Sequence, residues 1–500
     1  MKQLVTLLVT IFCLHSGICQ TTVKVIDAAT GEAMPHADII IGASESVITN
    51  TEGYFTIPAN TADDTEVIAS FLGYKSSGAT VMQLKNTKLI KLEPAMFEID
   101  EVAVSNNRIS PDSIIASAKR NLANNYKLPG ENVKNTLFYR QSTSFKPTKL
   151  NLEITQSTGM SKKDLKQVNG RLKTFTTQLV NNPPTEFTDM LCNYYSGVRH
   201  KNGKKVGYNK LEVLKAVKLK DRSRAVTVEE MQELAEGMLY EHIDTTKYYR
   251  IKSGLFGSRD TISFRKNDGR KKKPENPRLS SARNQIIGYM HQNNFQYSTN
   301  LDFIRNNNLY EYEYEGAVPA GNGDGFVYVV NFKPKKRRAK YTGTLYISET
   351  DYAVLRADYR LADGKKLGGI NLKLLLGVKQ SENVSRGTVI YKAQEGGGYY
   401  LQYALEEAGQ YVYINRPLKL IELTDDDRDK VAFDLKVETT ITDTQEYLNM
   451  SRKEITEAEA EQVKEKDFNY IQLQRYDPSI WKEYSTIEPL EAMKQFKTGG

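Results

Sequence analysis

Histidine and cysteine are scarce in this chain: five and three among 500 residues, beside a single tryptophan. Two of the cysteines, Cys13 and Cys19, fall in the first nineteen residues, which leaves Cys192 alone in the remainder. One cysteine forms no internal disulfide, and a zinc ribbon is excluded for want of thiolates. His36, His200, His242 and His291 stand in "HADI", "HKNG", "HIDT" and "HQNN", none with the glutamate spacing of a metallopeptidase. No Gly-x-Ser-x-Gly elbow occurs, and "GNGDGF" lacks the lysine of a phosphate loop and reads as a hairpin turn. Cys192 in "MLCNYYSG" has only His200 nearby in sequence, so a buried inert thiol is the reading. The expectation is a protein with no catalytic residue, no metal and no cofactor.

What is present suits an exported, strand-rich protein. At 39% apolar and 26% charged residues the chain is globular, and its length implies two or more domains. Thirty tyrosines favour strands. The net charge of +8 permits contact with anionic surfaces without indicating nucleic acid. Lys2, the apolar run "LVTLLVTIFCL" and the small residues Ser16 and Gly17 form the three regions of a signal peptide over residues 1–19. Ile18 stands where a lipoprotein signal carries a small residue before the lipidated cysteine, so soluble export to the periplasm is expected. Cleavage would remove Lys2 and leave +7 (8 − 1). No later run approaches the roughly eighteen apolar residues of a membrane helix.

Residues 20–104 alternate short β-rich runs with turns: "TTVKVID", "ADIIIG", "YFTIP", "EVIASFLGY" and "KLIKLEP", with Gly31 and Gly53 closing polar turns. Such spacing predicts a small β-sandwich. "VIDAATGEAMPHADIIIG", "TNTEGYFTIP" and "SFLGYK" resemble the carboxypeptidase-regulatory-like domain. That prealbumin-like sandwich opens many Bacteroidota outer-membrane proteins, TonB-dependent receptors among them. "FEIDEVAVSNN" resembles the exit strand seen in that setting. The family name describes a domain beside a peptidase and implies no peptidase here.

Beyond the sandwich, "SPDSIIASAKRNLANNY" predicts a helix within a linker over 105–133, with Ser110 as cap and Pro111 in the first turn. Residues 134–450 read as an α+β domain on a large curved antiparallel sheet. "NTLFYRQSTSF", "KLNLEITQST" and "KTFTTQLV" read as strands; "LEVLKAVKLK", "EEMQELAEGMLYEHI" and "SARNQIIGYMHQNNF" read as helices. "LYEYEYEG" alternates tyrosine with glutamate, which could suit a cation or a glycosidic pair but is by default a solvated strand face. The tail 451–500 reads as charged and helical to about Gln474.

The segment "GTLYISETDYAVLRADYRL" predicts a hairpin with Leu345, Ile347, Leu355 and Tyr359 on an apolar face and Arg356, Asp358 and Arg360 on a charged one. After "FKPKKRRAKY" it resembles a hairpin of the outer-membrane lipoprotein-carrier fold. Bacteroidota proteins place such a region directly behind a regulatory-like sandwich, and some continue into a membrane barrel. No barrel-length alternation is read before Gly500, and no barrel is expected. Two basic runs complete the candidates: Lys271, Lys272 and Lys273, and Lys335, Lys336, Arg337 and Arg338. They either protect strand edges with charge or bind an anionic partner, a lipid headgroup or an acidic protein.

The leading expectation is a non-enzymatic periplasmic protein at the outer membrane that binds a protein or envelope component. A carrier sheltering an acyl chain or hydrophobic segment on the concave sheet face is the alternative; the blander reading of that face is that the chain's own helices cover it. A hydrolase with an unrecognised site comes third. Nucleic acid is not an expected partner.

Overall fold

The structure, a computed structural model, describes residues 20–42, 45–95, 110–127, 131–220, 247–253, 256–263, 277–321, 325–423 and 430–495. The predicted signal peptide, the predicted helix "EEMQELAEGMLYEHI", His242 and the Lys271–Lys273 run lie outside the described residues. The protein is mainly β, a small sandwich followed by a large mixed α+β domain.

Seven short strands and one helix build the sandwich: β1 (Thr21–Asp27), β2 (Asp38–Ile41), β3 (Glu45–Ile48), β4 (Tyr54–Ile57), β5 (Glu66–Ser70), β6 (Ser77–Thr80), α1 (Val81–Thr87) and β7 (Leu89–Leu92). They form a sheet β4-β1-β7 and a sheet β3-β2-β5-β6. Alternation decides which side chains go inward: Val23, Val25, Ile39, Ile41, Val67 and Ala69 are all buried. Gly53 has φ +80°, and a Cβ there would stand 2.9 Å from the Val25 carbonyl oxygen, so only glycine fits this turn. β3, β6 and α1 lie outside the strand runs predicted from the sequence.

The large domain begins with α2 (Pro111–Asn125), followed by β8 (Val133–Ser157), α3 (Lys162–Asn181), β9 (Thr185–Lys201) and β10 (Lys204–Lys220). After β11 (Tyr248–Ser253), β12 (Phe256–Ser263) and α4 (Pro277–Gln292) come the hairpin strands β13 (Tyr310–Pro319), β14 (Phe326–Pro334), β15 (Tyr341–Ser348) and β16 (Val354–Leu361). Next are β17 (Gly369–Leu372), α5 (Lys373–Leu376), β18 (Val378–Ala393), β19 (Tyr399–Glu422) and β20 (Lys430–Glu454). The chain ends with α6 (Glu457–Gln462), β21 (Ile471–Leu473) and α7 (Glu491–Lys494). The main sheet runs β13-β14-β15-β16-β18-β19-β20-β8-β9-β10-β21, antiparallel throughout except that β21 lies parallel to β10. β8 and β20 are each 25 residues long, roughly 80 Å of extended chain. Register shifts interrupt both the β8–β20 and β18–β19 ladders, and such bulges bend long strands.

Three local predictions are corrected. "LEVLKAVKLK" is strand β10, not helix: a bulge between Val213 and Lys215 puts an extra residue, Leu214, 43% exposed, into the alternation. The extra residue spaces Leu211 and Leu214 three apart, which imitates a helical stripe. "KTFTTQLV" lies inside α3, where Ser161 Oγ caps the Asp164 N–H and Val168, Leu172, Thr176 and Leu179 make the buried stripe. Between Ser451 and Gln474, where a helix was expected, the tail is helical for only six residues, 457–462, behind a capping box of Thr456 and Glu459. Beyond them its polar groups bond the sheet and α4 instead of a helix of their own. Glu465 accepts from the Leu211 N–H (2.9 Å) and from Arg283, and Asp467 accepts from the Leu279 N–H in the first turn of α4 (2.8 Å). α2, expected as part of a linker, sits in the main core through Ile114, Ile115, Ala118 and Leu122.

Both faces of the sheet are covered. One carries α2, α4 and the 293–309 segment over a single large apolar cluster. The other carries the sandwich and the 477–490 segment, whose core is continuous with the sheet residues Phe138, Leu191, Tyr403 and Leu448. Trp481 meets Phe138 edge-on at 5.5 Å, and the Glu488 carbonyl accepts from both Asn50 of the sandwich and Arg140 of β8 (3.3 Å each).

Candidate functional site

Of the four residues expected on an apolar face, Leu345, Ile347 and Tyr359 lie in the main core and Leu355 does not. Leu345 and Ile347 are fully buried and Tyr359 nearly so. Phe303 stacks on Phe332 at 4.4 Å and reaches Tyr359 at 6.0 Å, so the chain itself fills the space over this hairpin. Leu355 is absent from the cluster and Val354 takes its place opposite Ile347, because the β15–β16 ladder has a bulge between Tyr346 and Ile347. The expected charged face does not meet water as a whole. Arg356 is buried, bonds Asp358 through Nε (2.7 Å) and Nη2 (3.2 Å), and lies 4.8 Å from the Phe71 ring of the sandwich. Only Arg360 is exposed.

This covered face is a polar seam. Arg140 of β8 pairs with its cross-strand neighbour Asp189 of β9 through two 2.8 Å hydrogen bonds, with Glu446 4.0 Å away. Burial raises the pKa of Glu446, with Arg140 and the Tyr403 hydroxyl opposing that shift. His36 packs on Tyr403 at 5.0 Å, and burial, with Arg356 nearby, lowers its pKa to about 3. Beside the seam a cavity of about 660 Å³ is lined by Arg140, Arg360, Arg386, Asp358, Glu407 and Glu446 among others. Arg386 is paired with Glu407 and Arg360 with Asp363, so these cations are largely matched within the protein. Cys192 is buried in the main core, where burial pushes its thiol pKa up and leaves it protonated. Among the described residues no His, Cys, Asp and Glu side chains group as a metal site. Tyr310 and Tyr312 are buried while Glu311, Glu313 and Glu315 are exposed on the opposite face of β13.

The second basic run lies where its charge is available. Lys335, Lys336, Arg337 and Arg338 are all exposed in the turn between β14 and β15, and none makes an ion pair with a described residue. The turn is held from beneath: Lys335 and Lys336 donate backbone N–H bonds to the Leu309 carbonyl (3.0 Å each), and Ala339 is buried. A second segment, which the sequence reading did not assign to this site, is tied alongside it. Lys365 Nζ donates to the Arg337 carbonyl (3.1 Å), and Lys340 Nζ to the Lys366 carbonyl (2.6 Å). That same segment carries exposed apolar side chains: Leu367, Ile370 (55%), Leu372 and a fully exposed Leu374, with Lys373 between the last two. The signal in the sequence was "KKLGGINLKLLLG", leucines among lysines within glycine turns.

Against known proteins, residues 23–104 match the family model of the CarboxypepD_reg-like domain. This is the sandwich, and it agrees with the motifs quoted above. Among solved structures the chain is similar to the crystal structure of a DUF1329 family protein from Desulfovibrio piger. The identity is 10%, the TM-score 0.16, and the match covers 65% of this chain and 90% of the other; a likeness so slight carries no argument. No curated protein matches the chain.

Proposed function

We propose that this is a non-enzymatic cell-envelope protein, exported to the periplasm of a Bacteroidota-type envelope, that docks on the anionic inner surface of the outer membrane. The observation that carries the reading is the lashing of two basic segments, 335–340 and 365–373, beside four exposed apolar side chains. Exposed leucines among unpaired cations complement a lipid interface, where the apolar groups enter the acyl boundary and the cations meet phosphates. Each basic residue at such a surface contributes about 1 kcal/mol. The sandwich, fused to the sheet through a shared core, serves in this reading as a rigid brace. Acyl-chain carriage on the β15–β16 hairpin is disfavoured, because Phe303 and its neighbours occupy that face.

Flotation of the full chain with vesicles of phosphatidylethanolamine and phosphatidylglycerol, against phosphatidylethanolamine alone, tests the reading. Binding confined to the anionic vesicles, weakened by salt and lost in Leu374→Asp, is the expected result. Absence of flotation, or equal binding to both vesicle types, overturns it.

A further inference from the structure

A second cavity, of about 470 Å³, lies on the helix-covered face between α4 and the strands β8, β9, β10, β19 and β20. Its lining is unusual in kind: eight tyrosines and five side-chain amides, against four aliphatic side chains, Val198, Ile287, Met290 and Leu401. The volume falls within the range of small-molecule sites, roughly 300 to 1,000 Å³.

Three groups in this lining are left unmatched by the protein. Asn449 is only 3% exposed; its Nδ2 donates to Asn135 Oδ1 at 3.0 Å, while its own Oδ1, fully buried, accepts from no described residue. The buried Tyr208 hydroxyl likewise has no partner among the described residues. Arg452 is half-buried, with its guanidinium 5.6 Å from the Tyr400 ring centroid, and it makes no hydrogen bond or ion pair with a described residue. Glu131 and Glu454 act on it electrostatically without pairing with it. A buried acceptor, a buried hydroxyl and a half-buried cation in one cavity are costly unless a ligand completes them.

We propose that this cavity binds an acidic saccharide unit. The ring C–H faces pack against the tyrosines, a hydroxyl donates to Asn449 Oδ1, a second bonds the Tyr208 hydroxyl, and the carboxylate meets Arg452. An acyl chain would fit the lining poorly: it brings no donor for Asn449 and finds few aliphatic side chains. The inference is independent of membrane docking, since none of these residues belongs to the basic surface.

Titration calorimetry of the full chain with methyl β-D-glucuronide, methyl β-D-glucoside and palmitate tests it. The glucuronide is expected to bind at least about tenfold more tightly than the glucoside, a difference of about 1.4 kcal/mol. Arg452→Gln should abolish that difference with the melting temperature unchanged, and Tyr297→Ala at the rim should weaken both sugars. Failure of both sugars to bind, binding of palmitate alone, or an acid preference that survives Arg452→Gln overturns the proposal.

Discussion

The Tyr126 hydroxyl accepts a hydrogen bond from the Val354 N–H (2.6 Å) and donates one to the Val354 carbonyl (2.9 Å). Both polar groups of one strand residue are thus satisfied by a side chain just past the end of α2. This holds the first residue of β16 in place where the β15 ladder is irregular, and it is why Val354 rather than Leu355 faces the core. The tyrosine is itself fully enclosed, with Tyr391 at 4.7 Å and Phe295 at 5.5 Å.

Removing that hydroxyl strands two buried backbone groups. Tyr126→Phe is expected to cost about 1–3 kcal/mol. Urea unfolding measures it; a change within error would show that Val354 is satisfied another way.

The bulge makes neighbouring residues respond oppositely to charge. Val354→Glu places an unpaired carboxylate in the core and should cost several kcal/mol. Leu355→Glu, at a half-buried position outside that cluster, should cost about 1 kcal/mol or less. Thermal melts of the two variants decide, and equal destabilisation would refute the register described.

At the seam, Arg140→Leu leaves the Asp189 carboxylate buried without its bidentate partner, a loss of about 3–5 kcal/mol. The double variant Arg140→Leu/Asp189→Leu should recover most of that loss. A double-mutant cycle by denaturant unfolding measures the coupling, which should be strongly favourable.

His36 predicts an acid limb to the stability curve. Its native pKa, about 3, lies below the unfolded value of 6.5, so the unfolded chain takes up a proton first as pH falls. The stabilisation is present in full above about 6.5 and is lost between there and about 3, by roughly 1.4 kcal/mol per pH unit. His36→Asn tolerates the left-handed backbone at this position (φ 60°) and removes the titrating group, so its profile over that window should be flatter. Unfolding measured between pH 4 and 7 (about the window of the shift) tests this, and an unchanged slope would exclude His36 as the cause.

The sandwich was legible because its information is local: alternating strands, polar turns, and a glycine, Gly53, at a position that no other residue fits. The Tyr310–Glu315 strand was legible for the same reason. β10 and α3 were misread because a bulge changes the period of a strand and because threonines inside a capped helix imitate one. The tail was misread because Glu465 and Asp467 find partners in β10 and α4, hundreds of residues away in sequence. The basic run at Lys335–Arg338 was visible as charge, but its neighbour at Lys365–Leu374 was not, since the tie between them is a tertiary hydrogen bond.

By itself, then, the sequence determined the strand-rich class, the sandwich and the alternation of the hairpins, all of which follow from side-chain period and turn chemistry. Only the tertiary structure decided which faces meet water. Arg356 and Asp358 alternate as solvent-facing residues should, yet Arg356 is buried against Phe71 of the sandwich, and it remains charged there because the half-exposed Asp358 neutralises it. The tyrosine cavity is of the same kind: its unmatched groups come from β10 and β20, brought together by strand pairing through β8 and β9. Burial is a property of the whole packing, and no window of sequence contains it.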